Sequence, residues 1–201
     1  MDRPTADSLL VEAARAWAPL SDAHADALAA AFDAREVEAG APVALPGTSA
    51  HEVLFVTDGL LRFYYPDDDG RQSNKAFVAE GEFAGALAAA GLGVPILYGI
   101  EALEPTRYLA APYTRWAAFV ESDPAFERLG RKLAEHLLMR KELKARSLLL
   151  QNAAERYRAL VDAQPDLVQR VPQYHLASYL GVTDVHLSRV RRELAGVLNK
   201  G

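Results

Sequence analysis

The chain has 201 residues, half of them hydrophobic, which is enough for one domain of ordinary size or two small ones. Its formal net charge is −5 and it contains no cysteine, which excludes disulfides, thiolate zinc sites, thiol nucleophiles and cysteine-ligated iron–sulfur clusters. It has no run of 18 apolar residues and begins without a signal-type apolar core, so we expect a cytoplasmic protein with no membrane contact.

The first part of the chain changes from a helical to a strand-like pattern. Residues 8–32 are rich in Ala and Leu, and Pro19 divides them into two helical patterns. Between about residues 36 and 115, short β-branched and aromatic runs alternate with turns that contain glycine, and the clearest runs are VLFV at 53–56, LLRFYY at 60–65 and KAFVA at 75–79. Such evenly spaced strands predict an antiparallel sandwich or barrel.

A long helical pattern follows the sheet region. Asp123 is a predicted N-cap with Pro124 at the first helical position, and no further proline occurs until Pro165. The pattern carries an apolar stripe at steps of three and four, formed by Phe126, Leu129, Leu133 and Leu137. A helix of this length needs a partner for its stripe, either its own β-domain or a second subunit. We predict that the stripe forms a dimer interface.

Two short helices separated by a glycine turn are predicted near the C-terminus. Pro172 suits the first turn of the first helix, and Gly181 stands where a left-handed C-terminal residue is favoured. Thr183 can then cap a second helix, in which Leu187, Val190 and Leu194 face the core. The opposite face carries Val185, Ser188, Arg189 and Arg192, with His186 and Arg191 at its flanks.

This arrangement is typical of a helix-turn-helix, whose second helix enters the major groove of DNA. Arginine pairs with both guanine O6 and N7, so Arg189 is the first choice for a base reader. We predict groove contacts from Thr183, Val185, Ser188, Arg189 and Arg192, and phosphate contacts from Gln173, Arg191 and Lys200.

Charge is distributed unevenly along the chain. Residues 1–127 hold 8 Lys and Arg against 20 Asp and Glu, a formal charge of −12, whereas residues 128–201 hold 14 against 7, a charge of +7. A basic C-terminal part favours a nucleic-acid partner. Surface helices are often charged in proteins that never touch DNA, and so the helix pair could instead only close a small core.

Two blocks of sequence resemble the Crp/Fnr family of bacterial transcription regulators. The first comprises Glu52–Gly59, Gly81–Gly85 and Glu101–Glu104, and is similar to the family's effector-binding β-roll. The second comprises Leu176–Gly181 and Leu187–Arg191, and is similar to its helix-turn-helix. Both blocks occur in the family's order.

The resemblance implies an α+β protein. Its parts would be an N-terminal antiparallel double-stranded β-helix, jelly-roll-like with flanking helices, at residues 1–122, a dimerisation helix at 123–150, and a C-terminal winged helix-turn-helix at 151–201. It further implies a homodimer on a near-palindromic DNA operator, with a small-molecule effector and RNA polymerase as further partners, and it implies no enzyme activity.

The chain departs from the family pattern in its recognition helix and at its end. Val185 stands where one common branch of the family has a glutamate. Because valine offers only apolar contact, we do not expect this protein to share the operator sequence of that branch. Seven residues, Ala195–Gly201, follow the predicted recognition helix. We therefore expect the family's β-hairpin wing to be absent or reduced, which removes phosphate contacts.

A further departure concerns the effector. Ala86 stands where cyclic nucleotide-binding members have a ribose-binding glutamate, Pro95–Leu97 stands near their phosphate-binding arginine, and no Lys or Arg occurs between Lys75 and Arg107. We predict that cyclic AMP is not the ligand. The predicted pocket is apolar, so either a less charged molecule binds or the roll is purely structural. Its predicted lining is Phe83, Gly85, Ala86, Leu87, Ile96 and Leu97.

Other chemistry is not favoured by the sequence. The five histidines lack metalloprotease spacing and clustered carboxylates, and so we expect neither a metal nor an organic cofactor. His175 and His186 are interpreted as groove or surface residues. Two alternatives remain to the DNA-binding regulator: a non-DNA signalling or interaction module with a structural β-roll and, more remotely, an enzyme with a cupin-like roll.

Overall fold

The computed structural model describes residues 5–49 and 51–198, with side chains described as far as Leu194. Two helices come first, α1 (Ala6–Arg15) and α2 (Asp22–Ala30). Eight strands and a short helix follow: β1 (Asp33–Val37), β2 (Pro42–Ala44), β3 (Glu52–Asp58), β4 (Leu61–Pro66), β5 (Gln72–Val78), β6 (Phe83–Gly85), α3 (Leu87–Leu92), β7 (Gly99–Ala102) and β8 (Thr106–Pro112). Further helices are α4 (Tyr113–Ser122), α5 (Pro124–Leu150), α6 (Ala153–Ala163), α7 (Pro165–Arg170), α8 (Gln173–Leu180) and α9 (Asp184–Leu198).

The strands form two four-stranded antiparallel sheets, with strand orders β1-β8-β3-β6 and β2-β7-β4-β5. We call the pair of sheets the β-roll. Helices lie before and after it in the chain, so the predicted α+β class with an antiparallel roll is confirmed.

Strand β3 shows why a strand segment such as VLFV is apolar at every position. Successive side chains on a strand point to opposite faces, and here both faces are covered. Val53 and Phe55 pack into a helix-side core with residues of α1, α2, α4 and α5. Leu54 and Val56 pack into the interior between the two sheets. Because no residue of a strand buried on both faces points to solvent, every position is apolar, and this explains the uninterrupted VLFV run.

The apolar stripe at the start of α5 packs on its own chain. Phe126, Leu129 and Leu133 are buried in the helix-side core, and Leu137 packs against the same core. The Phe126 ring lies 4.7 Å from the Phe119 ring of α4, centroid to centroid. Phe126, Leu129 and Leu133 are thus covered by their own chain and not, as predicted, by a second subunit, whereas Leu137 is partly exposed and its place in a dimer interface stays a prediction. The periodicity shows that a stripe is buried, and the nearest apolar surface is the protein's own core.

The helical pattern after Pro124 is interrupted before Pro165. Helix α5 ends at Leu150, and Asn152 then caps α6 by accepting a hydrogen bond from the Glu155 N–H at 3.0 Å. The Glu155 carboxylate accepts in return from the Asn152 N–H, which completes a capping box. A capping box starts a new helix without a proline. Among the described helices, none combines the length and the apolar character that crossing a membrane requires.

A third core joins the C-terminal helices to the β-roll. Side chains of α6 to α9 pack together, including Leu160, Leu176 and Leu187, and two residues of the β-roll, Leu60 just before β4 and Phe77 of β5, belong to the same cluster. The C-terminal helices therefore do not form an independent core in this conformation. The core of these helices is completed by side chains of the β-roll.

Candidate nucleic-acid interface and effector segment

The turn between α8 and α9 has the predicted geometry. Gly181 has φ +68°, in the left-handed region, and its N–H donates to the carbonyl oxygens at the end of α8. A residue with a Cβ is strained there by about 1 kcal/mol. Thr183 Oγ1 accepts a hydrogen bond from the His186 N–H at 3.2 Å, which satisfies one of the free donors at the start of α9.

Helix α9 separates its apolar and cationic residues onto different faces. Leu187 and Val190 are buried in the core of the C-terminal helices. Val185 is 70% exposed, Arg189 is also exposed, and Ser188 is half-buried between them. The remaining residues predicted to face a groove, Thr183 and Arg192, are exposed as well. Four of the five predicted groove residues are thus exposed and Ser188 is half-buried, and we call these five residues together the α9 face.

The two described residues predicted to contact phosphates are tied to each other. Arg191 Nη1 donates to Gln173 Oε1 at 2.9 Å, and Gln173 Nε2 donates to Asp184 Oδ1 at 2.7 Å. This chain of contacts fixes the start of α8 against α9. It passes through Asp184, which sequence reasoning did not single out. The predicted phosphate contact of Lys200 lies outside the described residues.

Helix α8 is docked on strand β5 through buried polar groups. The Asn74 N–H donates to Ser178 Oγ at 2.9 Å, and Asn74 Nδ2 donates to the His175 carbonyl oxygen at 3.0 Å. His175 is itself buried, and its Nδ1 lies 3.0 Å from Asn74 Nδ2. This corrects the interpretation of His175 as a groove or surface residue, whereas His186 is exposed. Burial, followed by the charge of Arg62, lowers the pKa of His175 to about 4.

The same polar network continues into the roll. The buried Arg62 donates to Asn74 Oδ1 at 3.1 Å, to Gln72 Oε1 and to both carboxylate oxygens of Glu101. It also stacks 4.3 Å from the centroid of the Tyr64 ring. A hydrogen-bonded path thus runs from β7 through β4 and β5 to α8.

Two charged contacts reinforce this docking. On α7, Arg170 donates to both carboxylate oxygens of Glu80 at 2.8 and 2.9 Å, and also to Glu104, and these bonds raise the pKa of Arg170. On α5, Lys144 Nζ lies 3.2 Å from the centroid of the Tyr179 ring and donates to the Tyr179 carbonyl oxygen. Helices α7 and α8 are therefore held at several separate points.

The residues of the predicted effector segment differ in their burial. Phe83 and Leu87 pack into the helix-side core. Ala86 and Ile96 are buried. Leu97, in contrast, is 72% exposed. Gly85 has φ +126°, and a Cβ there would lie 2.3 Å from the Glu52 carbonyl oxygen, so only glycine fits. The six residues thus differ in burial, and their assignment to the lining of a common effector pocket stays a prediction.

Within residues 5–49 and 51–198, no group of three His, Cys, Asp or Glu side chains could hold a metal ion.

Comparisons with known proteins agree with this architecture. Residues 34–123 match the family model described as the cyclic nucleotide-binding domain. A sequence search of curated proteins finds no match.

Solved structures give the more extensive likeness. A mutant of CooA from Carboxydothermus hydrogenoformans superimposes with a TM-score of 0.66 at 22% identity, covering 84% of this chain and 78% of CooA. FixK2 from Bradyrhizobium japonicum gives 0.68 at 20% identity, with 82% and 85% covered. The c-di-GMP-responsive global regulator CLP from Xanthomonas campestris gives 0.64 at 19% identity, with 85% and 90% covered.

Identities of this size establish the fold alone. The chain thus carries a cyclic nucleotide-binding domain match over residues 34–123, and it shares the α+β fold of CooA, FixK2 and CLP, regulators of the Crp/Fnr type.

Proposed function

We propose that the protein is a homodimeric, sequence-specific DNA-binding regulator of transcription in which α8 and α9 form a helix-turn-helix. Helix α9 enters the major groove, and two copies of it read a near-palindromic operator. The single observation that carries the proposal is the position of Arg189. It is exposed on the α9 face while its neighbours Leu187 and Val190 are buried in the core.

The composition of the α9 face supports DNA as the partner. Arg189 and Arg192 supply guanidinium forks for guanine edges, and Thr183 and Ser188 suit phosphate oxygens or base edges. Val185 offers an apolar contact, for example to a thymine methyl group. Within the face, Arg192 Nε makes only a long 3.4 Å contact with the Ser188 carbonyl oxygen. No described carboxylate pairs with Arg189, so little competes with a DNA contact there.

The surface that we propose for dimerisation differs from the stripe predicted from the sequence. The C-terminal half of α5 exposes six large apolar side chains: Leu138, Met139, Leu143, Leu148, Leu149 and Leu150. Isolated exposed leucines are common, but six large apolar side chains exposed within 13 residues of one helix mark an apolar stripe. We assign this stripe to the dimer interface, because its position immediately before the C-terminal helices would set the spacing of two α9 helices.

The effector and the wider partners are proposals of the same kind. Because no Lys or Arg lies between Lys75 and Arg107, cyclic AMP would lose the usual partner for its phosphate, and we propose that it is not the ligand. RNA polymerase is the expected protein partner of such a regulator.

The test begins with selection of binding sequences from a randomised duplex library. Arg189→Ala is then compared with the unchanged protein on a selected duplex and on a scrambled one. We expect a loss of about 1–3 kcal/mol on the selected duplex and a much smaller loss on the scrambled one. Arg128→Ala is the matched control, because Arg128 is an exposed arginine on α5 outside the α9 face.

Two results would contradict base reading by Arg189: an equal loss on both duplexes, or no loss on either. If the unchanged protein binds no DNA even at low salt, where phosphate contacts are strongest, the non-DNA interaction module becomes the better reading.

A further inference from the structure

A lysine of strand β5 is surrounded by aromatic rings at the rim of the roll. Lys75 Nζ lies 3.4 Å from the centroid of the Tyr98 ring, 5.6 Å from that of Phe63 and 5.9 Å from that of Tyr65. We call these three rings the Lys75 cage. A cation is attracted to the faces of such rings, but rings do not neutralise its charge.

No anion of the protein balances this charge. No described carboxylate lies within salt-bridge distance of Lys75, and no described acceptor forms a hydrogen bond with it. The charge that shifts its pKa is of the same sign. Burial, and then the charge of Lys141 on α5, lower the pKa of Lys75 to about 8. The ammonium group therefore remains largely protonated at neutral pH, although its surroundings disfavour the charge.

The cage does not supply a counter-ion either. The Tyr98 hydroxyl donates to the Gly85 carbonyl oxygen at 3.1 Å. Burial raises the pKa of Tyr98 to about 12, so this ring stays neutral. The same hydrogen bond ties Tyr98 to the chain that leads from β6 into α3. Lys75 thus lies beside the segment in which sequence reasoning found no cation.

We propose that Lys75 anchors an oxyanion, the phosphate or carboxylate group of a small ligand, at the rim of the roll beside Tyr98, with Lys141 as a second and more exposed cation. A half-buried ammonium without a partner gains a charge-assisted hydrogen bond when such an anion arrives. The exposed ring of Tyr65 and the partly exposed ring of Tyr98 provide apolar surface for the remainder of the ligand. Binding of the anion does not depend on whether the protein binds DNA.

Direct binding measurements test the proposal with defined probes. Inorganic phosphate and benzoate are titrated into the full-length protein by calorimetry at low ionic strength, and benzamide serves as the uncharged counterpart of benzoate. We expect saturable binding of one or both anions, and benzamide should bind at least tenfold more weakly than benzoate. Phosphate binding alone identifies a phosphate group as the recognised chemistry, and benzoate binding alone identifies a carboxylate.

Variants locate the site. Lys75→Met keeps the apolar stem of the side chain and removes the charge, so it should weaken anion binding at least tenfold. Lys132→Met is the matched control, because Lys132 lies on α5 in a surface pair with Glu135 and should leave binding unchanged. Equal binding by Lys75→Met and the unchanged protein would overturn the proposal, as would the absence of anion binding.

A second measurement needs no variant. The pKa of Lys75 is followed by NMR of the carbon next to its ammonium group, with and without saturating anion. A bound oxyanion should raise that pKa from about 8 by at least one unit, because it stabilises the charged form. A pKa that does not move at anion concentrations far above the chloride present would overturn the proposal even if Lys75→Met fails to fold.

Discussion

Asn74 Nδ2 donates to the His175 carbonyl oxygen and faces His175 Nδ1, both at 3.0 Å. The orientation of the Asn74 amide is fixed from its other side, because Arg62 can only donate and therefore requires Asn74 Oδ1 to face it. The amide nitrogen is left pointing at His175. It can only donate, so His175 Nδ1 must be unprotonated. One arginine of the roll thereby sets the protonation state of a histidine in α8.

Removal of the Asn74 side chain should loosen α8 from β5. Asn74→Ala leaves Arg62 Nη1 and His175 Nδ1 without these hydrogen-bond partners in a buried site. Each such group costs about 1–3 kcal/mol. We expect the free energy of unfolding, measured with urea, to fall by at least about 2 kcal/mol. Ser73→Ala, an exposed position on the same strand, should change it by less than about 0.5 kcal/mol. Similar losses in the two variants would argue against the Asn74 network.

Acid should weaken the contribution of His175 to stability. Its pKa is lowered from 6.5 to about 4 by burial and by Arg62, with Glu101 acting in the opposite direction. The native state therefore favours the neutral ring. The stabilisation is fully present above pH 6.5 and is lost as the pH falls from 6.5 towards 4.

The pH effect is measured as a difference between proteins, because many carboxylates titrate in the same range. The free energy of unfolding of the unchanged protein minus that of His175→Gln should decrease as the pH falls from 7 to 4. His186→Gln, at an exposed histidine on α9, should show no such trend. A difference for His175→Gln that is constant or grows with acid would show that the buried ring is not held neutral.

Replacement of Gly181 by alanine should strain the turn before α9. The left-handed φ of +68° costs a residue with a Cβ about 1 kcal/mol. The added Cβ would also lie 3.2 Å from Leu148 Cδ2, the flexible end of an exposed side chain. Gly93→Ala is the matched control, because Gly93 ends α3 with a φ of +65° and nothing lies within 4 Å of its Cβ position.

The two variants separate backbone strain from side-chain contact. Urea unfolding should give losses of about 1 kcal/mol for both, within about 0.5 kcal/mol of each other, because Leu148 can rotate away. A much larger loss in Gly181→Ala would mean that Leu148 is fixed against the turn. No loss in either would mean that the turn residues are not in the left-handed conformation.

Structural features that depend on residues close together in the chain were predictable from the sequence. Gly181 and Thr183 act within their own turn, and Asp123 caps α5 through the N–H two residues later. The VLFV strand was predictable because its apolar run reflects burial on both faces. In each case the physical cause lies within a few residues of the signal.

What the sequence did not predict depends on residues far apart in the chain. His175 is buried because Asn74, 101 positions earlier, meets it. The surroundings of Lys75 depend on Tyr98, 23 positions later, whose ring lies against the ammonium group. The buried stripe at the start of α5, from Phe126 to Leu137, also depends on distant residues. A period of 3.6 residues indicates which face of a helix is buried and not which surface covers it.

The exposed half of α5 gives the test of self-association. Leu138 and Leu149 are 59% and 82% exposed. They are 11 residues apart in the sequence, which places them about 20° apart around the helix, on one face. If this face meets a second copy, the double variant Leu138→Gln and Leu149→Gln removes two apolar contacts from each subunit, four from the dimer. Loss of each buried leucine contact costs on the order of 1 kcal/mol or more, so the dissociation constant should rise at least tenfold.

Sedimentation equilibrium measures this change without requiring DNA. Leu92→Gln is the matched control, because Leu92 is equally exposed but lies on α3 of the roll, away from the stripe. It should leave the dimer intact. A double variant that associates as tightly as the unchanged protein would remove α5 from the interface. Dissociation caused by Leu92→Gln would instead assign the interface to the surface of the roll, and two α9 helices could then no longer be spaced by α5.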